Sequence, residues 1–194
     1  MKRKQFLLAA FLLFVAIAAP AQQLQLKLDP AKTRVAWTLG DVLHTVEGTF
    51  ALKSGVITFD AQTGEASGQI IVDAASGNSG NGVRDSKMKK DVLESAKYPE
   101  IVFTARHVSG FTANQDSQTV QLAGEFTIHG ASHPLTLTLP ITLKGSQLEA
   151  QTKFDVPYQQ WGMKNPSTLF LKVSDTVQIA ITAVGQLQPE RSSH

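Results

Sequence analysis

Few residues in this chain have the types and spacing that binding chemistry or catalysis requires. Arg84 and Asp85 follow a glycine-rich stretch, 76–82, that reads SGNSGNG, and Lys87 comes two residues later. The forked donors of an arginine suit a phosphate or a quinone carbonyl, so Arg84 and Lys87 are candidates for contact with a ligand head group. The alternative is a structural ion pair between Arg84 and Asp85 that pins this segment, since exposed ion pairs are common.

The histidines do not indicate a metal site. His129 and His133 are four residues apart, but Gly130 and Pro134 prevent a continuous helix that presents both imidazoles. The sequence has no cysteine, no HExxH motif, no GxSxG elbow and no glycine-rich phosphate loop between a strand and a helix. We therefore expect no metal, no cofactor and no catalysis, and the missing cysteines exclude disulfides and thiol chemistry.

The N-terminus has the three parts of a secretory signal peptide. Residues 1–4 read MKRK, an apolar run covers 6–19, and Ala19-Pro20-Ala21 fits the small-residue pattern of a signal peptidase site. The run is too short to span a bilayer comfortably, and no second run follows, so we expect no stable membrane insertion. Residues 1–21 are therefore predicted to direct export to the periplasm or out of the cell, with an uncleaved anchor as the alternative.

The predicted mature chain is close to electrical neutrality. Removing 21 of 194 residues leaves 173, which suits one domain with a sizeable core. The whole chain has 18 basic and 16 acidic residues, and Lys2, Arg3 and Lys4 leave with the signal, so 15 basic residues remain against 16 acidic ones. A nearly neutral chain gives no electrostatic case for nucleic acid as a partner.

Apolar and polar side chains alternate with a period of two along most of the mature chain. The clearest series is 135–143, where apolar residues alternate with Thr136, Thr138 and Thr142. Such alternation predicts half-buried antiparallel strands, and short connections such as 129–132 and 144–146 favour an up-and-down meander. The other series are 35–39, 46–52, 57–59, 68–72, 101–105, 120–128, 148–156 and 177–183.

The strand count depends on Ser54-Gly55. A bulge at this point gives eight strands, whereas a hairpin gives nine. Eight antiparallel strands close a barrel whose interior is filled by side chains or holds one ligand. We therefore predict an all-β fold, a closed antiparallel up-and-down β-barrel of about eight strands.

Two segments break the alternation. Residues 83–96 carry charges and place apolar residues at roughly helical spacing, which predicts a short helical insert after the third strand, over one end or side of the barrel. Asp85-Ser86 or Asp91 are the expected caps of its helical turns. Residues 157–168 are too long for a simple turn, and long loops on barrels are often functional. The tail 188–194 is predicted to be disordered.

The order and spacing of several short motifs resemble the YceI-like polyisoprenoid-binding family. The motifs span about 28–187 and are HTVEGTF (44–50), GVITFD (55–60), NGVRD (81–85), YPEIVF (98–103), GEFTIHG (124–130) and VSDTVQI (173–179). The resemblance implies a lipocalin-like barrel whose hydrophobic lumen holds a polyisoprenoid chain, in a protein that is exported in many members. The His-Leu pair that often follows Arg-Asp in the family is replaced here by Ser86-Lys87.

The resemblance favours a ligand-lined lumen over a packed core for the residues on the apolar face. The candidate lumen residues are Trp37, Phe50, Phe59, Ile70, Phe103, Phe126, Phe154 and Trp161. Gly48, Gly68 and Gly124 fall on the same face. The missing side chains there either leave room for isoprene units or relieve crowding at a bent strand.

The main functional hypothesis is a non-catalytic binding protein. Its domain, 22–187, would hold a long isoprenoid lipid, such as a prenyl quinone or a polyprenyl phosphate, for transport or storage. Each buried CH₂ contributes about 0.8 kcal/mol, so the tail would drive binding and the mouth would discriminate. The alternatives are an exported, stress-linked structural barrel with a filled core and a lipid-modifying enzyme, which needs a polar cluster inside the barrel.

Cleavage of the predicted signal peptide is directly testable. Protein recovered from the envelope fraction should begin at Gln22, because the small residues Ala19 and Ala21 fit the peptidase. N-terminal sequencing measures this, and Met1 at the start of the exported protein would contradict the prediction. An Ala21→Arg variant puts a large charged side chain at the site and should accumulate as the uncleaved form.

Overall fold

The alternating segments form nine β-strands in the computed structural model, which describes residues 23–40, 45–167 and 172–190. A helical insert between the fourth and fifth strands consists of α1 (Gly82–Lys87) and a π-helical turn (Met88–Val92). None of the described helical segments has the length and hydrophobicity that a membrane span requires. The strands are β1 (Gln23–Leu28), β2 (Arg34–Gly40), β3 (Thr45–Asp60), β4 (Ala66–Asn78), β5 (Glu100–Ser109), β6 (Ser117–Ile128), β7 (Ala131–Lys144), β8 (Gln147–Val156) and β9 (Val177–Pro189).

The strands close into a barrel. From β2 to β9 each strand pairs with the next in sequence, β9 pairs back with β2, and all pairings are antiparallel. The closed up-and-down barrel predicted from the alternation is therefore confirmed. β1 adds no position to the ring, because it pairs with the far halves of β3 and β9, beyond the residues that pair with β2. The barrel has eight strand positions, one of which β1 and β2 fill in succession.

A turn at 29–33 interrupts this shared position. Thr33 is buried there, and its Oγ1 donates to the carbonyl of Val184 and accepts from the Val184 N–H, both at 3.2 Å. The N–H of Asp29 donates to the same carbonyl at 2.8 Å, so both backbone groups of Val184 are satisfied where the ladder is broken. β1 was not among the predicted strands, although 24–28 alternates leucine with polar residues.

β3 is one continuous strand of 16 residues. Its register against β4 shifts where Leu52 pairs with Val72 and Ser54 pairs with Ile71, which leaves Lys53 as the extra residue. This is a β-bulge, so the bulge interpretation is right and the hairpin interpretation is wrong. A bulge bends a strand and increases its twist, which lets a long strand follow a curved wall.

Side chains face inward and outward as the alternation predicts. On β7, Leu137 and Ile141 are buried, whereas Thr136 and Thr138 are exposed. On β9, the apolar residues of 177–183 pack into the interior clusters.

The interior is filled at one end of the barrel only. At the closed end, where the connections are 61–65, 110–116 and 145–146, Phe59 packs edge-on against Phe111 with 5.1 Å between ring centroids. Val120, Ile141, Leu148 and Ala150 form a buried cluster in the same half. At the other end, called the mouth end, the connections are 79–99, 129–130 and the described parts of 157–176. A cavity remains beneath them.

The insert begins at a different residue from those predicted. The side-chain oxygen of Asn81 accepts from the N–H groups of Val83 and Arg84, at 3.1 Å each, so Asn81 caps α1. The prediction of Asp85-Ser86 as a cap is wrong for this helix, because Asp85 is buried and accepts from Ser79 instead. β4 also extends to residue 78, so the glycine-rich stretch is partly strand.

Two predictions lie wholly or partly outside the described residues. The predicted signal peptide, 1–21, lies wholly outside them. At the other terminus, Gln188 and Pro189 still pair with β1, so the last strand extends two residues past the predicted domain end. Residues 191–194 are not among the described ones.

The inward-facing glycines are places of close approach. A Cβ on Gly124 would collide with the backbone carbonyl of Thr104 and lie 2.7 Å from the ring of Phe103. A Cβ on Gly48 would lie 2.5 Å from the ring of Trp37. The aromatic ring of a neighbouring strand therefore occupies the space over each glycine.

Gly68 is required for a different reason. Its φ is +103°, a conformation that L side chains rarely adopt, and a Cβ there would meet the carbonyl of Val56. None of the three glycines borders the cavity. The expectation that they leave room for a ligand is therefore wrong, and relief of crowding is the correct interpretation.

Replacing Gly124 should destabilise the barrel. Gly124→Ala forces the Thr104 carbonyl or the Phe103 ring to move, and overpacking of this kind costs about 1–3 kcal/mol of unfolding free energy. Urea denaturation measures the change. Gly82→Ala is the matched control, because nothing lies within 4 Å of a Cβ at that helical position. Equal stability of Gly124→Ala and the parent would contradict the close packing.

Candidate functional site

A cavity of about 530 Å³ lies in the half of the barrel next to the mouth. Its volume falls within the range of small-molecule sites, about 300–1,000 Å³. Each of the strands β2 to β9 contributes inward-facing side chains to its wall, and the helical insert and the 157–176 connection contribute the rest. Among the described residues that line it, all are apolar except Asn81, Arg84, Lys87 and Tyr158.

Six of the eight predicted lumen residues line this cavity. The rings of Phe126 and Phe154 meet edge to face at 5.8 Å, and those of Trp37 and Phe50 lie 6.5 Å apart. The structure therefore brings the aromatic residues of several strands together around one space. The six are Trp37, Phe50, Ile70, Phe103, Phe126 and Phe154.

Phe59 and Trp161 do not line the cavity, which corrects their assignment. Phe59 faces the interior, but it lies in the closed half against Phe111. Trp161 stacks on His133 with 3.8 Å between ring centroids and 7° between planes, and it lies 6.0 Å from Phe126. It therefore packs next to a wall residue, Phe126, without bordering the cavity itself.

The residues predicted to line the lumen include most of the aromatic side chains of the cavity wall, but most of its aliphatic side chains were not predicted. The missed strand residues belong to the same alternating series, so their signal was present. The missed residues of the connections had a weaker signal, the helical spacing of Met88, Val92 and Leu93. The aliphatic strand residues are Val35, Leu39, Val46, Val72, Ile101, Ile128, Leu135, Leu137, Val156, Val177, Ile179 and Ile181, and Val83, Met163, Pro166 and Val173 come from connections.

Arg84 is held at the mouth by Ser79. Its Nε donates to the Ser79 hydroxyl at 2.8 Å and its Nη2 donates to the Ser79 carbonyl at 3.0 Å. Asp85 accepts from the N–H and the hydroxyl of the same serine. Among the described residues no ion pair links Arg84 with Asp85, so the predicted ion pair is not formed. The Nη1 of Arg84 has no hydrogen-bond partner among them either, although Arg84 borders the cavity.

Lys87 joins the two segments that lie over the mouth, the helical insert and the β8–β9 connection, which are called its two covers. Its Nζ donates to the carbonyl of Pro166 at 3.2 Å, which connects the insert to the 157–167 segment. An ammonium group has three donors, so this bond leaves two for another acceptor. Arg84 and Lys87 together place positive charge and free donors at the entrance of an apolar chamber.

The far end of the insert is fastened to the β6–β7 turn. The Nε2 of His129 lies 2.7 Å from the carboxylate of Glu94, and both residues have positive φ, 51° and 46°. The ring of Tyr98 lies against Gly130, where a Cβ would approach it to 2.5 Å. Leu93, which directly precedes Glu94, is buried. The insert is thus held at both of its ends.

Tyr158 belongs to the second cover of the mouth, the β8–β9 connection. Its side chain is buried, and its hydroxyl donates to the carbonyl of Ser174 at 2.5 Å, which joins the two ends of the β8–β9 connection. Burial of the phenol raises the pKa of Tyr158 to about 12, and the nearby carboxylate of Asp175 adds to the rise. The hydroxyl is therefore a neutral donor, and it is already used within the fold.

The described residues offer little for metal binding or acid–base chemistry. No group of three His, Asp or Glu side chains among them is arranged to hold a metal ion. The cavity wall formed by the described residues contains neither a carboxylate nor a histidine. What this wall can do is exclude water from an apolar ligand, with its polar contacts near the entrance.

The raised pKa makes the contribution of Tyr158 to stability pH-dependent. The folded-state pKa lies above the unfolded value near 10, so the contribution is complete below about pH 10 and is lost as the pH rises through about 12. Tyr158→Phe should lower the unfolding free energy by about 0.5–1.5 kcal/mol at neutral pH. The difference from the parent should shrink above pH 10, as measured by urea unfolding at each pH.

The ionisation can also be followed directly. The chain has two tyrosines, so a Tyr98→Phe variant leaves Tyr158 as the sole source of tyrosinate absorbance. Ionisation of the folded variant near pH 10 would contradict the burial and hydrogen bonding of this hydroxyl.

Two curated proteins are similar to part of the chain. The UPF0312 protein of Pseudomonas savastanoi pv. phaseolicola is 33% identical over 94 residues, 47% of this chain and 47% of that protein. Protein YceI of Escherichia coli is 28% identical over 100 residues, 50% of each chain. The chain thus spans about half the length of the curated relatives it matches.

Solved structures share the fold. BcnA of Burkholderia cenocepacia has a TM-score of 0.65 at 20% identity, covering 81% of this chain and 98% of that one. A polyisoprenoid binding domain from Saccharophagus degradans, implicated in plant cell wall breakdown, has a TM-score of 0.68 at 16% identity, covering 87% and 99%. At these identities the similarity concerns the fold alone.

The family model of the YceI-like domain matches residues 26–184, which include all or part of every strand of the barrel. The match covers most of the chain and all eight strand positions. The protein belongs to the YceI-like domain family.

Proposed function

We propose that this chain is a non-catalytic binding protein that holds a long isoprenoid lipid, with the tail in the cavity and the head at the mouth. One observation carries the proposal: a chamber of about 530 Å³ is lined by apolar side chains, and its charged groups, Arg84 and Lys87, belong to the insert over the mouth. Each CH₂ that leaves water contributes about 0.8 kcal/mol, so a prenyl tail would supply most of the affinity. The lipid would be a prenyl quinone or a polyprenyl phosphate.

The head group would be recognised by Arg84 and Lys87. The Nε and Nη2 of Arg84 are oriented by Ser79, so the guanidinium is fixed before a ligand arrives and loses little freedom on binding. The Nη1 and the remaining protons of Lys87 suit an anionic or carbonyl oxygen. Since the wall itself offers few directional contacts, discrimination between lipids would come from this entrance.

The comparisons support the same class of ligand. The chain belongs to the YceI-like domain family, and a neighbour of the same fold is described as a polyisoprenoid binding domain. The N-terminal sequence, 1–21, supports a role after export, in the periplasm or outside the cell. Transport or storage of a lipid between membranes is the activity that such a location and such a cavity would serve.

The two alternative functions have less support. A structural barrel with a filled core does not account for the cavity, since only the closed half is packed. An enzyme needs a polar cluster inside the barrel, and in the described wall the titratable side chains are Arg84, Lys87 and Tyr158. The Tyr158 hydroxyl is already bonded to Ser174, and the other two lie at the mouth.

The cavity can be blocked without disturbing the packed half. Leu135→Trp adds volume to the chamber, so the parent should co-purify with a prenyl lipid and the variant should lose most of that load. Organic extraction and mass spectrometry of both proteins measure the load. The unfolding free energy of Leu135→Trp should change by less than about 1.5 kcal/mol, because empty space receives the indole.

Val120→Trp is the matched control. It puts the same indole into the packed half, where overpacking should cost about 1–3 kcal/mol of stability. A parent with no bound lipid, which also fails to bind added prenyl lipid, would refute the proposed function. So would a Leu135→Trp variant that keeps its full load.

A further inference from the structure

Charge is distributed unequally between the two ends of the barrel. The described connections at the mouth end carry seven basic and four acidic side chains, a formal balance of +3. Those at the closed end carry only Glu65 and Asp116, a balance of −2. The count leaves out Asp41 and His44, which are not among the described residues. The described connections are therefore positive at the mouth end and negative at the closed end.

Two of the four acidic residues at the mouth end have partners within the fold. Asp85 is buried and bonded to Ser79, and Glu94 is paired with His129. Arg84 and Lys87 are hydrogen-bonded to uncharged groups and to no carboxylate of the described residues. The mouth-end basic residues are Arg84, Lys87, Lys89, Lys90, Lys97, Lys164 and Lys172, and in the described part of the chain none of them forms an ion pair.

An exposed apolar side chain lies among these charges. Val83, the second residue of α1, is 84% exposed and borders the cavity. Of the described large apolar side chains, only Val56 is also exposed, and then by 37%. Val83 is thus an exposed apolar side chain among basic residues at the entrance of an apolar chamber. Surfaces that contact the interface of a lipid bilayer combine apolar and basic side chains in this way.

We propose that the mouth end docks onto a bilayer that carries anionic lipids. The basic residues on both covers would contact the lipid head groups, and Val83 would enter the boundary between head groups and acyl chains. The charge difference between the two ends would turn the mouth toward the membrane during the approach. An acidic protein or a nucleic acid would also attract the charges, but neither gives a reason for the exposed valine at the cavity entrance.

Docking in this orientation would place the cavity against the source or destination of its ligand. A lipid could then pass between bilayer and chamber without crossing bulk water. This consequence rests on the proposed function, whereas docking itself requires only the charges and Val83. The two proposals can therefore fail separately.

A charge variant tests the docking surface. Lys89→Gln, Lys90→Gln and Lys164→Gln together remove three charges that do not line the cavity. Each basic residue near an anionic surface is worth about a fivefold change in affinity, so binding should fall by about a hundredfold. Flotation with vesicles of phosphatidylcholine alone and of an equimolar mixture of phosphatidylcholine and phosphatidylglycerol measures it. The parent should bind only the mixture, and less so at higher salt.

The control removes the same charge from elsewhere on the barrel. Lys27→Gln, Lys144→Gln and Lys153→Gln alter exposed strand residues and should change vesicle binding far less than the mouth variant. All three proteins keep the same N-terminus, so lipid binding by that segment cancels. The mouth variant should bind prenyl lipid added directly to the solution as well as the parent does, because its three lysines do not line the cavity.

A fluorescent label reports the orientation. The chain has no cysteine, so Ser86→Cys at the mouth end and Ala113→Cys at the closed end each accept one environment-sensitive dye. Mixed vesicles should shift the emission of the dye at 86 and leave that at 113 unchanged. Absence of parent binding to the mixed vesicles, equal losses in the two lysine variants, or equal shifts at both labels would each overturn the proposal. So would DNA binding with the same variant dependence and no vesicle binding.

Discussion

Closure of the hydrogen-bonded ladder between β9 and β2 is the constraint on which the rest of the structure depends. Once β9 pairs with β2, the sheet closes on itself, and each strand directs one face toward the interior. The alternation of apolar and polar residues follows from this requirement. The shared position of β1 and β2 shows how far the constraint reaches, because Thr33 supplies the hydrogen bonds that the broken strand cannot give to Val184.

Closure fixes which side chains face the interior, but side-chain volume and the connections decide whether the interior is full. At the closed end short connections and the Phe59–Phe111 pair seal a packed half. At the mouth end two long connections border the opening. Glu94 holds the insert to His129 on the rim, and Tyr158 bonds to Ser174 within the β8–β9 connection. These contacts hold the two connections over the cavity, so one barrel contains both a packed core and a chamber.

The same division explains how far the sequence could be interpreted. Period-two alternation predicts which face of a strand points inward, and it correctly gave the closed barrel. Six of the residues that it placed on the apolar face border the cavity. The alternation carries no information on the position of a residue along the barrel axis, which is why Phe59 was assigned to the wall. Contacts between side chains in loops have no periodic signal at all. The bonds of Ser79 to Arg84 and Asp85 depend on a turn geometry that the spacing of SGNSGNG does not reveal.

The division between core and chamber also separates two sources of selectivity. The binding free energy that an apolar wall gives to a long tail depends mainly on the buried area. The chamber alone would therefore not distinguish one isoprenoid from another. The insert adds the features that can distinguish them, because it brings a pre-oriented guanidinium, an ammonium group and an exposed valine to one rim. Since these groups lie on a segment held at both ends to the barrel, substitutions there can change head-group or surface preference and leave the ladder intact. In the proposed function the barrel would therefore fix the class of ligand, and the insert would set which member of that class is taken up and from where.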